Sequence, residues 1–414
     1  MPASGIGFLN PCFLNLNLNL NLNLNLNLNL NLNLNLSLNI LKILYLTDQL
    51  YLHGGIEKVL MQKVNYLADT AGDEVTVLTY QQQGRAPVYE LSAKVRMRDL
   101  NINYEIGKSY FNLTNLMKMP AHISALRNTI RQVQPDVIVS CSLGPDFYFL
   151  PFVCGKSPVI KEFHSSRYFG FQSPSRGKAK LLDKLSSWVE KKYTRLVVLN
   201  PDEVPFYRSG HISVIPNPAE ITEVRAGLKN RRILAAGRIS PVKNFANLIE
   251  AFSRLNAQFP DWELHFWGED YVGTQDKLQA QIESLGLGKQ VHFMGVTSNL
   301  QHEMQKYSIY AMTSETECFP MVLLESLSAG LPVVSYDAPT GPRHIITDGE
   351  DGYVVPYKNL DIFTQKLEKL MTDENLRRKV GDKGRENVQR FHTNKVMSQW
   401  RTLFEQLVTQ QKNN

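Results

Sequence analysis

The chain has 414 residues, of which 43% are hydrophobic and 20% charged, the balance of a soluble globular protein long enough for two domains. Its four cysteines (Cys12, Cys141, Cys154, Cys318) lie far apart with no CxxC, which excludes a disulfide framework or structural zinc site and fits a reducing cytosol. No continuous apolar run reaches the roughly 18 to 20 residues of a transmembrane helix, so any membrane contact is expected to be peripheral.

From Leu14 to Leu36 leucine and asparagine alternate without a break. Period two is a strand signature, but 23 residues at about 3.3 Å each would make a strand of about 75 Å, far beyond ordinary strands. As a membrane span it would place amides in hydrocarbon, and it lacks the basic start and unbroken apolar core of a signal peptide. Residues 1–40 are therefore expected to be a disordered low-complexity leader, or an extension read from too early a start codon.

Short β-rich runs then alternate with helical patterns. The first series is Lys42–Thr47, Glu74–Tyr80, Asp136–Ser142, Pro158–His164, Arg195–Asn200 and Ile212–Asn217. The second is Arg232–Arg238, Glu263–Gly268, Val291–Gly295, Tyr307–Ser314, Pro332–Asp337 and Gly352–Pro356. These runs are too evenly apolar for half-exposed strands and predict parallel strands covered on both faces. Intervening stretches such as "IEKVLMQKVNYLADT" and "FANLIEAFSRLNAQF" have helical spacing. Two doubly wound α/β domains are expected, residues 41–215 and 216–392, with "IPNP" (Ile215–Pro218) as linker. A last amphipathic stretch, 393–411, needs a surface for Val396, Trp400, Leu403, Phe404 and Leu407, and the first domain is the expected one.

Charge is uneven. Leu41–Ile212 holds 22 Lys+Arg against 15 Asp+Glu, an excess of 7, and the rest 23 against 24. Nine basic residues and three acidic ones fall between Lys161 and Arg195, interleaved with Tyr168, Phe169, Phe171 and Trp188. Such a segment can lie on an anionic lipid surface or meet a lipid-linked phosphate; an ordinary solvated helix is the alternative.

The chemistry concentrates in four places. In "SETECFPMVLLESLSAGLPVV", Glu317 and Glu325 flank a strand-to-helix turn made by Cys318, Phe319 and Pro320. Proline suits a first helical turn, and the free N–H groups of Met321 and Val322 would face an anion such as a diphosphate. Carboxylates beside such a site need polar partners, and sugar hydroxyls are natural ones. A capping carboxylate plus a surface glutamate would be the structural alternative. In "AAGRISPVKNF", Arg238 and Lys243 follow a strand across a Gly/Pro loop and can reach one diphosphate. In "DQLYLHGGIEKVL", Gly54 and Gly55 open a helix and would let a ligand approach the backbone. His164 ends an apolar strand at its cleft-facing end.

Taken together, Glu317-x7-Glu325 before "ESLSAGLPVV", "GR" with Lys243, and "GGIEKV" near the start resemble the retaining glycosyltransferases of family 4 with GT-B architecture, over about Leu41–Leu407. "APTGPRHIITDGEDGYVVP" is similar to the subgroup that adds hexoses or N-acetylhexosamines to lipid-linked oligosaccharides, lipopolysaccharide and capsule. The resemblance implies two Rossmann-like domains facing a cleft, with the C-terminal helix packed back on the first. It implies a nucleotide-sugar donor, most often a UDP-sugar, and a glycan or lipid-linked acceptor. Arg238 and Lys243 would hold the diphosphate with the backbone of Phe319, Pro320, Met321 and Val322 and the Gly54-Gly55 loop. Glu325 would bond the ribose, Glu317 the donor sugar, and His164 would lie near the transferring sugar. Cys318-Phe319-Pro320 replaces the family's frequent Gly-Phe-Gly, and the histidine motif matches loosely. The absence of any Asp-x-Asp fits a site needing no metal or other cofactor. The expected place is the cytoplasm, peripheral on the inner face of the membrane through 161–195, with no nucleic-acid partner. A nucleotide-sugar epimerase of the same architecture, or a protein that binds the nucleotide sugar without turnover, are the alternatives.

Overall fold

The computed structural model describes residues 40–105, 107–142, 144–172 and 177–413; the expected leader and Arg176 of the basic run lie outside them. Two all-parallel sheets form in series. The first contains β1 (Lys42–Leu46), β2 (Glu74–Thr79), β3 (Arg96–Asp99), β4 (Val137–Ser140), β5 (Val159–Glu162), β6 (Arg195–Val198) and β7 (Ile212–Val214) in the order β3-β2-β1-β4-β5-β6-β7. Its helices include α1 (Gly55–Asp69), α2 (Met119–Val133), α3 (Asp146–Val153) and α4 (Lys178–Glu190). The second contains β8 (Arg232–Ala236), β9 (Glu263–Trp267), β10 (Val291–Gly295), β11 (Ile309–Met312), β12 (Val333–Tyr336) and β13 (Gly352–Val355) in the order β10-β9-β8-β11-β12-β13. It carries α5 (Phe245–Ser253) and α6 (Met321–Ser328), and the chain closes with α7 (Thr393–Lys412).

Each apolar run of the sequence contains a strand, and the even hydrophobicity has its reason in coverage from both sides. In β8, Ile233 and Ala235 enter one core while Leu234 and Ala236 enter another on the opposite face. The strand the pattern missed is β3, with the sequence RMRD. It pairs with β2 from Thr76↔Arg96 to Thr79↔Asp99 at the sheet edge. Charged residues blunt such an edge and remove the apolar signal that marks a central strand.

The two orders are the same apart from β7, so each sheet reverses direction beside its first strand, between β1 and β4 and between β8 and β11. In open parallel sheets that reversal leaves a crevice at the carboxyl ends of the strands. The first sheet brings the β1–α1 loop to this crevice, and the second brings the loops after β8 and β11. The chain crosses between the sheets near Asn217–Ala219 and returns at Phe391–Thr393. The crossings pair through Ala219 N to Phe391 O at 2.7 Å and Thr393 N to Ala219 O at 3.2 Å.

Helix α7 buries Val396, Met397, Trp400, Leu403, Phe404, Leu407 and Val408 against α1 and β4 of the first domain. Lys63 of α1 places its ammonium 3.6 Å from the centre of the Trp400 ring, and Arg401 pairs with Asp73. Truncating an aromatic in such a position costs about 3 to 5 kcal/mol.

Candidate active site

The second sheet builds the cationic wall. After β8 the chain turns at Gly237, whose φ is +143°, and its N–H bonds Trp267 O at 2.9 Å. Gly268, after β9, has φ +154°, and any Cβ there would run into the carbonyl oxygen of Gly237. Two glycines thus let the ends of β8 and β9 close up. A Cβ on Gly237 would also stand 2.8 Å from Lys243 Cε, so the lysine stem lies directly over the turn.

A short 3₁₀ turn, Pro241–Lys243, leads through left-handed Asn244 into α5. The loop after β11 binds this turn: Glu315 N donates to Val242 O at 2.7 Å, Asn244 Nδ2 to Glu315 Oε1 at 2.8 Å, and Thr313 Oγ1 to Asn244 O at 2.9 Å. These bonds bring residues 74 positions apart together, and Lys243 Nζ meets Glu317 Oε1 at 2.6 Å. The pair is partly open, with side chains 21% and 12% exposed. Arg238, exposed just after Gly237, is near enough to Glu57 of α1 for its charge to oppose burial, which still holds the Glu57 carboxyl above its ordinary value.

Beyond Glu317 the chain turns through Cys318 and Phe319 into α6. Pro320 is the residue immediately before that helix, at φ −69° and ψ 114°, one place earlier than the first-turn position expected for it. It caps with no side chain, so the first N–H groups, those of Met321 and Val322, are not taken by a capping residue. Glu325 is one turn in. Its carboxylate is nearly covered and reaches Lys58 Nζ of α1 at 2.5 Å, a bond between the two domains. Burial alone would lower the Lys58 ammonium, but Glu325 beside it holds it above its ordinary value.

The first domain presents a different wall. The β1–α1 loop is folded around Gln49, whose Oε1 accepts from Tyr51 N at 2.7 Å and Leu52 N at 2.9 Å, while its amide donates to Glu57. Gly54 is extended, and a side chain there would meet only the movable end of Glu57. A side chain on Gly55 would meet nothing within 4 Å, so this helix start leaves open space.

His164 lies past the carboxyl end of β5 with its side chain 5% exposed. Its Nε2 is 3.4 Å from Glu162 Oε1 and has no hydrogen-bond partner. Burial pushes its pKa down to about 4, so the ring is neutral at pH 7. Glu162 in turn bonds Lys63 at 2.6 Å, and Cys141 Sγ at 3.3 Å. The structure therefore gathers Arg238, Lys243, Glu317, Glu325 and the α6 start along the second sheet, and sets His164 in a sealed network of the first.

Residues 53–223 match the family model described as Glycosyltransferase Family 4, and residues 218–387 match Glycosyl transferases group 1. The chain belongs to the family 4 glycosyltransferases of GT-B architecture. An exopolysaccharide phosphotransferase of Streptomyces coelicolor is 35% identical over 201 residues, which are 48% of this chain; the match spans 21% of that relative's length. The lipopolysaccharide core biosynthesis glycosyltransferase LpsE of Rhizobium meliloti is 29% identical over 343 residues, covering 81% of this chain and 91% of the relative. Among solved structures, a mutant of S. aureus TarM in complex with fondaparinux, alpha-GlcNAc-glycerol and UDP has a TM-score of 0.72 at 15% identity, covering 88% of this chain and 100% of that one.

In this glycosyltransferase, several site residues carry no motif. Asn200, past β6, donates to Cys318 O at 2.8 Å and to Thr340 Oγ1 at 3.0 Å, and Thr340 donates to Glu203 at 2.6 Å. Asn217 donates to Phe319 O at 3.3 Å, and Gly341 leaves no room for a Cβ beside Cys318. Together they clamp the Glu317–Pro320 turn against the first domain. Only "NP" after an apolar strand hints at Asn200 in the sequence, as a capping residue, and Glu203 N indeed bonds its side chain.

Among the described residues, Cys141, Glu162 and His164 bring three potential metal ligands within 4.8 Å. They fit a metal poorly. Burial drives the Cys141 thiol pKa well up, and the Lys63 ammonium already neutralises Glu162. A dication there would also be repelled by two buried lysines, Lys63 and Lys161, whose charges act on His164 and Cys141.

Proposed function

We propose that this glycosyltransferase moves a hexose or N-acetylhexosamine from a UDP-sugar to a glycan or lipid-linked acceptor in cell-surface polysaccharide synthesis, with retention, without a metal ion, and in the cytoplasm. The observation that carries the reading is the meeting of Lys243, Glu317 and the uncapped α6 start at the reversal point of the second sheet, with Arg238 on the same cleft edge. An anionic leaving group placed there would take Lys243 from Glu317 and meet the helix N–H groups. The UDP seen with TarM, and the lipopolysaccharide role in the name of LpsE, support the donor and the pathway.

Transfer with retention passes through an oxocarbenium-like state while the diphosphate departs. Arg238, Lys243 and the α6 start would stabilise the growing charge on that phosphate. Glu317, once its lysine turns to the diphosphate, is free to accept from donor-sugar hydroxyls, and Glu325 from the ribose. His164 is neutral, and its Nε2 is unpartnered but buried beside Glu162, so a role near the transferring sugar would require the bound donor to uncover it. The acceptor proton would pass to a leaving-phosphate oxygen on the same face. The test is nucleotide release from UDP-, GDP- and ADP-sugars with and without acceptor. Acceptor-dependent UDP release with the anomeric configuration kept is expected. Conversion of the sugar without acceptor, or preference for a GDP-sugar, would contradict the reading.

A further inference from the structure

The basic run 161–195 does not form one surface. Lys161 is 1% exposed, with its ammonium donating to Ser142 O and, at 3.3 Å, to Ser140 Oγ. Arg167 bonds Glu190 at 2.5 Å and lies 4.2 Å from the Tyr207 ring centre. The surface part is α4 and the residues after it.

That helix is turned the unusual way round. At about 100° per residue, Leu181, Leu185 and Trp188 fall within about 60° of one another. Ser186 and Glu190 lie on the opposite side and Val189 at its border with the strip, and these face the protein. Val189 and Glu190 are 1% exposed, and Ser186 Oγ is 3.2 Å from Tyr148 OH of α3. Leu181 is 70% and Trp188 50% exposed, so the most apolar strip of the helix points outward.

The strip continues onto other elements. Phe152 of α3 stacks on Trp188 at 5.5 Å and is itself half exposed. Phe111 packs edge-on against Tyr148 at 5.3 Å, which joins the strip to the turn 111–117, where Leu113 is 71% and Met117 74% exposed. Lys180, Lys184, Lys191 and Lys192 border the strip, all exposed, with Lys192 Nζ 5.3 Å from the Trp188 ring centre. The chain reaches both segments from the carboxyl ends of β3 and β5, the edge of the sheet that faces the cleft.

The geometry points to this two-part face as a docking surface for an anionic lipid bilayer. Outward leucines with a tryptophan, flanked by lysines, suit the boundary between acyl chains and negative headgroups. Apolar residues from two separate segments suit a broad planar partner, and the lysine border selects a negative one. Docking here would bring the cleft edge to the membrane that carries a lipid-linked acceptor. That consequence rests on the proposed function, but the docking itself requires neither donor nor acceptor.

The test is co-sedimentation of the full chain with vesicles of phosphatidylcholine alone and of phosphatidylcholine mixed with phosphatidylglycerol, at low and high salt. Binding to the anionic vesicles only, weakened by salt, is expected. The double variant Leu181→Glu/Trp188→Glu should lower it at least about tenfold, and Leu113→Glu/Met117→Glu should lower it too, with unchanged melting temperatures. No binding, equal binding to neutral vesicles, or binding that neither variant alters would overturn the proposal. So would a dimer, seen by light scattering, that these substitutions dissociate. Since the assay contains no sugar donor, its outcome is separate from that of the transfer reaction.

Discussion

Two lysine–glutamate pairs in this enzyme have the same 2.6 Å separation and opposite situations. Lys63–Glu162 is sealed, each side chain 1% exposed, beneath the Trp400 ring of the C-terminal helix. Lys243–Glu317 opens onto the cleft at 21% and 12%. A sealed pair cannot exchange partners, because separating it strands a charge in low dielectric. An open pair can trade its carboxylate for a ligand phosphate at little cost. Burial, not chemistry, separates a pair locked into the fold from one that the proposed reaction could use.

The contrast can be broken in order of effect. Lys63→Met should destabilise the protein by about 3 to 5 kcal/mol, because Glu162 is left buried and uncompensated; adding Glu162→Gln should return part of it in denaturant titrations. Lys243→Ala should leave stability within about 1 kcal/mol but lower the rate of transfer by about 3 to 4 kcal/mol, a hundredfold to thousandfold in kcat. Acid acts on the sealed side: His164 has a folded pKa of about 4 against an ordinary 6.5. Its contribution is therefore present above pH 6.5 and lost as pH falls toward 4, about 3 kcal/mol from this group by linkage, read as a falling unfolding free energy. Smallest is the cross-domain bond, where Lys58→Ala should cost less than about 1 kcal/mol, since Lys58 keeps partial access to water.

The sequence made the central strands legible because two-sided burial writes an unbroken apolar run. It hid β3, whose Arg96, Arg98 and Asp99 serve an edge. At the site, Glu317, Glu325, Arg238 and Lys243 carry local motif signals and could be named. Lys58 could not, because its partner Glu325 is 267 positions away. The same holds for Asn200 and Glu203, which act on a turn more than a hundred residues later. Lys161 misled in the other direction: within a basic run it reads as solvated, yet it sits on a strand interior with serine oxygens as partners.

Calorimetric titration of UDP into the wild-type chain, Lys243→Ala and Lys63→Met, each below its melting temperature, tests the central assignment most directly. The open pair should set the affinity: Kd weakened at least about tenfold in Lys243→Ala and unchanged in the less stable Lys63→Met. Unchanged UDP affinity in Lys243→Ala, or equal weakening in both variants, would contradict it.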